Sequence, residues 1–321
     1  MDVENCRAAG LDEETLKEKI MALKKEKGAV ILAHYYQQGP IQDIADHIGD
    51  SLALARYAAT LHDARIIVLC GVHFMGETAK LLCPDKKVLV PDADAGCSLA
   101  DSCPADDFKK FIEQHPGHTV VSYVNTSVGV KALTDVLVTS GNARKIIDAL
   151  PADEKIIFGP DRNLGNYINS VTGRQMLLWD GACHVHEKFS VEKIIELKHK
   201  HPEAKVLVHP ECKRPVVLLA DKVGSTAALL DYARSSDARE FIVATESGIL
   251  HQMQKDCPDK TFIPAPPDDS ATCGCNDCSY MKLNTLAKLY RCLRDEAPEI
   301  HIDPALAQAA LRPIERMLEM S

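Results

Sequence analysis

The chain has 321 residues, 46% of them hydrophobic, enough for a large packed core and about two or three domains. Lysine plus arginine number 37 against 46 aspartates and glutamates, a net charge of −9 with no basic block, which argues against a duplex nucleic-acid binder. No apolar stretch approaches the roughly 18 residues of a membrane helix, and the acidic start MDVENCRAAGLDEETLKEK has neither a signal core nor transit-peptide character, so a soluble cytoplasmic protein is expected.

A charged helix is expected over residues 11–27, with Gly28 as its stop. The run AVILAHYYQ at 29–37 then reads as a buried strand with a polar end, and it recurs as HTVVSYVNT at 118–126 and AKVLVHPEC at 204–212. Aligned on His34, Tyr123 and His209, the copies lie 89 and 86 residues apart. Seventeen residues further on stand Ser51, Ser140 and Thr226, each a hydroxyl at the expected start of an amphipathic helix, the N-cap signature. A second apolar run follows in each copy: ARIIVLCG from Ala64, EKIIFGP from Glu154 and REFIVAT from Arg239. A third run closes each copy: KVLVPDADAGC, RQMLLWDGAC and KTFIPAPPDDSATCGCNDC. Cys-Pro-Asp-Lys at 83–86 returns at 257–260, a spacing of 174, twice 87 and so in keeping with the same period. Each unit thus reads strand–helix–strand–helix–strand, an α/β pattern that implies parallel sheets covered by helices, with ligands taken at the carboxyl ends of the strands. Three such units are expected to pack about a pseudo-threefold axis. The units run over 1–103, including the first helix, 104–187 and 188–279, and residues 280–321 hold two closing helices at 280–296 and 303–319.

Twelve cysteines in a chain of this size point to metal, cluster or redox sites as well as to packing. One cysteine position follows the last strand of each unit: Cys97, Cys183 and the group Cys273, Cys275 and Cys278. Three thiolates around one axis suit a [4Fe–4S] cluster with one iron lacking a protein ligand, and an open iron implies Lewis-acid chemistry. Taken alone, Cys-x-Cys-x-x-Cys also fits a zinc loop or a redox pair. Cys83 and Cys257, each before a proline, read as structural; Cys6, Cys70, Cys103, Cys212 and Cys292 follow no pattern.

After the first strand of each unit come His34 and Tyr36, Tyr123 and Asn125, His209 and Glu211. Alternate residues on an extended end point the same way, so the six could face the axis and supply proton-transfer and carboxylate-binding groups. Ser51, Ser140 and Thr226 read either as plain caps or as anion sites at helix starts. No P-loop and no G-x-G-x-x-G occurs. His184-x-His186 is a further pair, for zinc or for one imidazole near a cluster or substrate.

The ordered segments ILAHYYQ, GDSLALAR, GVHFMGETAKLL, SYVNTS, VTSGNA, FGPDRNLG, WDGACHVHEKF, VHPEC, DKVGST, ATESGILHQM and CSYMKLNTL resemble the quinolinate synthase family over about residues 28–290. The resemblance implies three pseudo-symmetric α/β/α sandwich domains around a central [4Fe–4S] cluster. It implies a transferase of NAD biosynthesis that condenses iminoaspartate with dihydroxyacetone phosphate to quinolinate, phosphate and two waters, and an iminoaspartate-producing enzyme as a partner. Carried over by motif, the cluster ligands are Cys97, Cys183 and Cys278, with the roles of Cys273 and Cys275 left open. The active-site positions are His34, Tyr36, Ser51, Tyr123, Asn125, Ser140, His186, His209, Glu211, Ser225 and Thr226. Glu211 is expected to be the general base, with a pKa raised by a closed site beside an electron-rich cluster. Tyr36 with His34 would relay protons, Tyr123, Asn125 and His209 would grip a dicarboxylate, and Ser51, Ser140, Ser225 and Thr226 would hold carboxylate or phosphate. The alternatives are an aconitase-like [4Fe–4S] hydro-lyase, a zinc-binding protein and a redox regulator acting through Cys273 and Cys275.

Overall fold

The structure is a computed structural model that describes residues 12–268 and 276–321; Cys6, Cys273 and Cys275 lie outside the described residues. The first helix, Glu13–Lys27, starts on the Asp12 carboxylate, which accepts from the Thr15 N–H at 2.8 Å, and stops at Gly28, whose φ of 57° is the left-handed conformation that glycine tolerates.

Among the described residues, twelve strands follow in three groups. They are β1 Ala29–His34, β2 His47–Gly49, β3 Ile66–Cys70 and β4 Lys87–Leu89; then β5 Thr119–Tyr123, β6 Val136–Val138, β7 Ile156–Gly159 and β8 Leu177–Leu178; then β9 Lys205–Val208, β10 Lys222–Val223, β11 Glu240–Ala244 and β12 Thr261–Pro264. Each group forms one parallel sheet in the same relative order: β2-β1-β3-β4, β6-β5-β7-β8 and β10-β9-β11-β12. The fold is α/β, with helices flanking three sheets of one topology. Alternate residues of a central strand enter different cores. Ile66, Val68 and Cys70 of β3 pack with the Glu13–Lys27 and Leu286–Asp295 helices, whereas Ile67 and Leu69 join the core shared with the second sheet. Each fully buried aliphatic chain contributes roughly 1.5–3 kcal/mol relative to exposure.

The sequence pattern predicts three strands per unit; the structure has four. The addition is the edge strand β2, β6 or β10, only two or three residues long, too short to show a hydrophobic period. An aspartate directly before each one holds it to the sheet. Asp46, Asp135 and Asp221 each exchange two bonds with a residue fifteen positions earlier: their N–H groups reach the Ile31, Val120 and Val206 carbonyls at 2.8–2.9 Å, and their carboxylates accept the same residues' N–H groups at 2.7–2.8 Å.

The N-cap reading is also corrected. Asp50 caps the helix Ser51–Ala59 and Ser225 caps Thr226–Ser235, so Ser51 and Thr226 are first helical residues rather than caps. Ser140 lies three residues before the helix Ala143–Ala149. Cys83 and Cys257 both end their helices with φ near −130°, as expected of structural residues at equivalent positions. At the C-terminus, the expected helix over 280–296 divides into a short turn, Met281–Leu283, and the helix Leu286–Asp295 capped by Thr285; Pro304–Met320 starts on Asp303.

Candidate active site

The carboxyl ends of the strands in all three sheets meet at one cavity. Its wall contains His34, Tyr36, Ser51, Tyr123, Asn125, Ser140, His186, His209, Glu211 and Thr226, together with Cys97, Cys183 and Cys278. Ser225 is the one residue of the expected set outside the wall; it is buried behind Thr226 as that helix's cap.

The three cysteines occupy the same local structure. Each opens a helical turn in which its carbonyl accepts the N–H of the fourth residue on: Asp101 for Cys97, Glu187 for Cys183 and Lys282 for Cys278, at 2.9–3.1 Å. In each turn the sulfur faces the backbone N–H three residues on, from Ala100, His186 or Met281. Burial pushes the Cys97 thiol up to about 12 and that of Cys278 to about 11, and pushes Cys183 well above its ordinary value, while these N–H groups pull the other way. None of the three is in a disulfide. Three partly buried cysteines lining the cavity, each with its sulfur aimed at a backbone donor, form a donor set that fits a thiolate-bound metal centre. Gly181, two residues before Cys183, permits a close approach: a Cβ there would lie 2.5 Å from the Pro160 carbonyl oxygen.

Glu211 sits at the centre of a polar network. Tyr123 donates to its Oε1 at 2.6 Å, and His186 Nδ1 lies 3.2 Å from its Oε2 and 3.2 Å from Cys183 Sγ. Burial works to raise the Glu211 pKa, but the His186 imidazole at 3.2 Å and the Tyr123 hydroxyl at 2.6 Å stabilise the charged form and pull it down. In the protein without a cluster the net direction is downward, because the partners that stabilise the charged form come from the other strand ends. Cys183, His186 and Glu211 also hold their ligand atoms within 4.8 Å of one another, close enough to share a metal ion. His184 does not join this group; its Nδ1 bonds Ser98 Oγ at 2.6 Å.

His34 and His209 repeat one arrangement. In each, the N–H two residues on donates to Nδ1, from Tyr36 at 3.2 Å and from Glu211 at 3.4 Å. Nδ1 as acceptor assigns the proton to Nε2, which at His209 lies 3.3 Å from Ser140 Oγ. Burial pushes both imidazoles down to about 3, so they are neutral donors. Tyr36 and Tyr123 are pushed well above the ordinary phenol value, first by burial and then by Glu211, and keep their protons. The Asn125 Oδ1 is buried with no partner among the described residues, an acceptor facing a cavity.

A family model described as quinolinate synthetase A protein matches residues 18–319. The chain belongs to the quinolinate synthase family. Curated quinolinate synthases from Synechococcus sp., Thermosynechococcus vestitus and Microcystis aeruginosa are 58%, 59% and 59% identical to it over 302 residues, 94% of each chain. This bears out the resemblance drawn from the motifs, and the enzyme class with it.

In this member of the quinolinate synthase family, sequence reading missed Thr245, Asp161, Glu246 and the apolar wall of Val72, Phe74 and Met75. Thr245 is buried behind the cavity, with Oγ1 2.8 Å from the Tyr36 hydroxyl and 3.0 Å from His186 Nε2. Thr245 and both acids stand just past the ends of β7 and β11, where the rule of ligand sites at strand carboxyl ends would have pointed. Among the described residues, no helix is long and apolar enough to cross a membrane.

Proposed function

We propose that the chain condenses iminoaspartate with dihydroxyacetone phosphate, giving quinolinate, phosphate and two waters. Cys97, Cys183 and Cys278 would hold a [4Fe–4S] cluster with one iron lacking a protein ligand. The observation that carries this reading is the meeting of one cysteine from each sheet with the Tyr123–Glu211–His186 network at a single cavity. When bound, such a cluster supplies a Lewis acid.

The chain's own groups do the rest. Glu211, ionised and hydrogen-bonded, accepts protons during tautomerisation and dehydration, and Tyr123 beside it donates at Oη. Tyr36, fixed by Thr226 and Thr245 at 2.9 and 2.8 Å, keeps its proton at the phenol oxygen for a departing hydroxyl. The Nε2–H groups of His34 and His209 bind carboxylate or carbonyl oxygen, and Asn125 Oδ1 accepts from a substrate N–H or O–H. Ser51, Ser140 and Thr226 take anionic groups, with Ser225 holding the Thr226 helix start in place. Val72, Phe74 and Met75 exclude water on the remaining side.

The test is quinolinate formation by anaerobically purified protein given dihydroxyacetone phosphate and freshly generated iminoaspartate, alongside iron, sulfide and zinc analysis. Product that is lost in air supports the reading. Iron and sulfide without quinolinate would favour a hydro-lyase, and zinc without sulfide would favour a single ion at Cys183, His186 and Glu211.

A further inference from the structure

The backbone around the cysteines repeats more closely than their side chains require. The second residue beyond the third strand across each sheet is Val72 after β3, Asp161 after β7 and Glu246 after β11. The residue after it, His73, Arg162 or Ser247, donates its N–H to the carbonyl two residues before the cysteine: Ala95, Gly181 or Asn276, at 2.7, 2.8 and 3.3 Å. Strand end and cysteine loop are thus tied together in all three sheets.

In two of the three, the tie is doubled. The Cys183 N–H donates to Asp161 Oδ2 at 3.3 Å, and the Cys278 N–H donates to Glu246 Oε1 at 3.0 Å. Both acids are fully buried. Each uses its other oxygen on its own strand-end turn: Asp161 Oδ1 accepts from the Leu164 N–H at 2.7 Å, and Glu246 Oε2 accepts from the Gly248 N–H at 2.7 Å. Glu246 also pairs with Lys282 Nζ at 2.8 Å, and Lys282 belongs to the turn that Cys278 opens. A buried carboxylate that satisfies a cysteine's N–H and braces on the neighbouring strand limits where the sulfur can point. The Val72 side chain offers no acceptor, so the Cys97 loop is joined to its own strand end by the single tie alone; its other polar contact, Ser98 Oγ to His184 Nδ1 at 2.6 Å, runs to the Cys183 turn rather than to the strand end.

We propose that Asp161 and Glu246 are positioning residues that fix Cys183 and Cys278 for metal binding, and that Cys97 is the less constrained arm of the site. The proposal rests on the reading of these three cysteines as cluster ligands. Its function would be unequal grip: two sulfurs held in place and a third able to adjust as the centre loads or is lost.

The experiment uses anaerobically reconstituted holoenzyme. Asp161→Asn keeps one carbonyl oxygen for the helix cap at Leu164 and turns an amide N–H against the Cys183 N–H; Glu246→Gln sets the same conflict at its turn. Iron release to excess ferrous chelator is followed by absorbance, with the electron paramagnetic resonance spectrum of the reduced cluster taken at equal iron content. Each variant is expected to release iron about 10- to 100-fold faster than the unsubstituted chain, with an altered spectrum. Release at the unsubstituted rate with an unchanged spectrum would overturn the proposal while leaving the cluster reading intact. An unsubstituted chain that takes up no iron and sulfide would overturn both. For a variant that does not fold, peptide-level hydrogen exchange on the unsubstituted holoenzyme decides: residues 181–187 and 276–282 are expected to exchange more slowly than 95–101, and equal or reversed protection would refute the unequal grip.

Discussion

Tyr123, the last residue of β5, donates its hydroxyl to Glu211 Oε1 at 2.6 Å, linking the second sheet to the loop after β9 in the third. Neither residue has this partner until the sheets pack. The bond stabilises the charged carboxylate and aims a phenol proton at the atom expected to receive one.

Glu211→Gln keeps the size and the hydrogen-bonding reach but removes the base. Quinolinate turnover is expected to fall by about 10²–10⁴, with iron and sulfide content unchanged. Tyr123→Phe should lose less, since the carboxylate remains. Steady-state rates on metal-analysed protein check both, and turnover by Glu211→Gln within about tenfold of the unsubstituted enzyme would remove the assigned role.

Cys97→Ala, Cys183→Ala and Cys278→Ala should each deplete iron and sulfide and abolish activity. Cys70→Ala, in the apolar core between β3 and the Leu286–Asp295 helix, should keep both and lose only stability. Iron and sulfide analysis separates the two kinds of cysteine.

Thr245 touches the machinery through others: Oγ1 bridges the Tyr36 hydroxyl and His186 Nε2. Thr245→Val keeps the shape and leaves two buried polar groups short of a partner, a loss of about 1–3 kcal/mol. The expected result is a drop in kcat of roughly 5- to 150-fold with metal content retained.

The metal-free fold should be acid-sensitive through His34 and His209. Buried imidazoles held down to about 3 stay neutral in the fold, whereas in the unfolded chain they protonate near 6.5. The unfolded state therefore binds more protons between these values, and stability, full above pH 6.5, falls as the pH drops from 6.5 toward 3. The slope is about 1.4 kcal/mol per pH unit for each imidazole. Thermal midpoints of metal-free protein between pH 7.5 and 5.5 should decline, and His34→Gln or His209→Gln should flatten the decline by about one imidazole's share.

Much of this was open to sequence reading. The three units showed because their central strands are continuous apolar runs, buried on both faces, and because a polar residue and a cysteine recur at fixed places after them. The edge strands β2, β6 and β10 escaped notice for lack of length, although Asp46, Asp135 and Asp221 sit at the same offsets of 89 and 86 residues as the first-strand markers. The cap assignments slipped by one residue where two capping side chains adjoin, as in Asp50-Ser51 and Ser225-Thr226, since either satisfies the local rule.

By itself the sequence determined the α/β class, the threefold repetition, the family and the set of residues at the strand ends, because periodicity and motif spacing are properties of the local chain. Tertiary structure decided which of those residues meet. It brought Cys97, Cys183 and Cys278 to one cavity, lowered the Glu211 carboxyl where burial alone would raise it, set Thr245 behind Tyr36 and His186, and gave Asp161 and Glu246 to two cysteines and Val72 to the third. Those outcomes depend on hydrogen bonds and charges between groups 22 to 209 residues apart, and such distances are set only when the three sheets pack against one another.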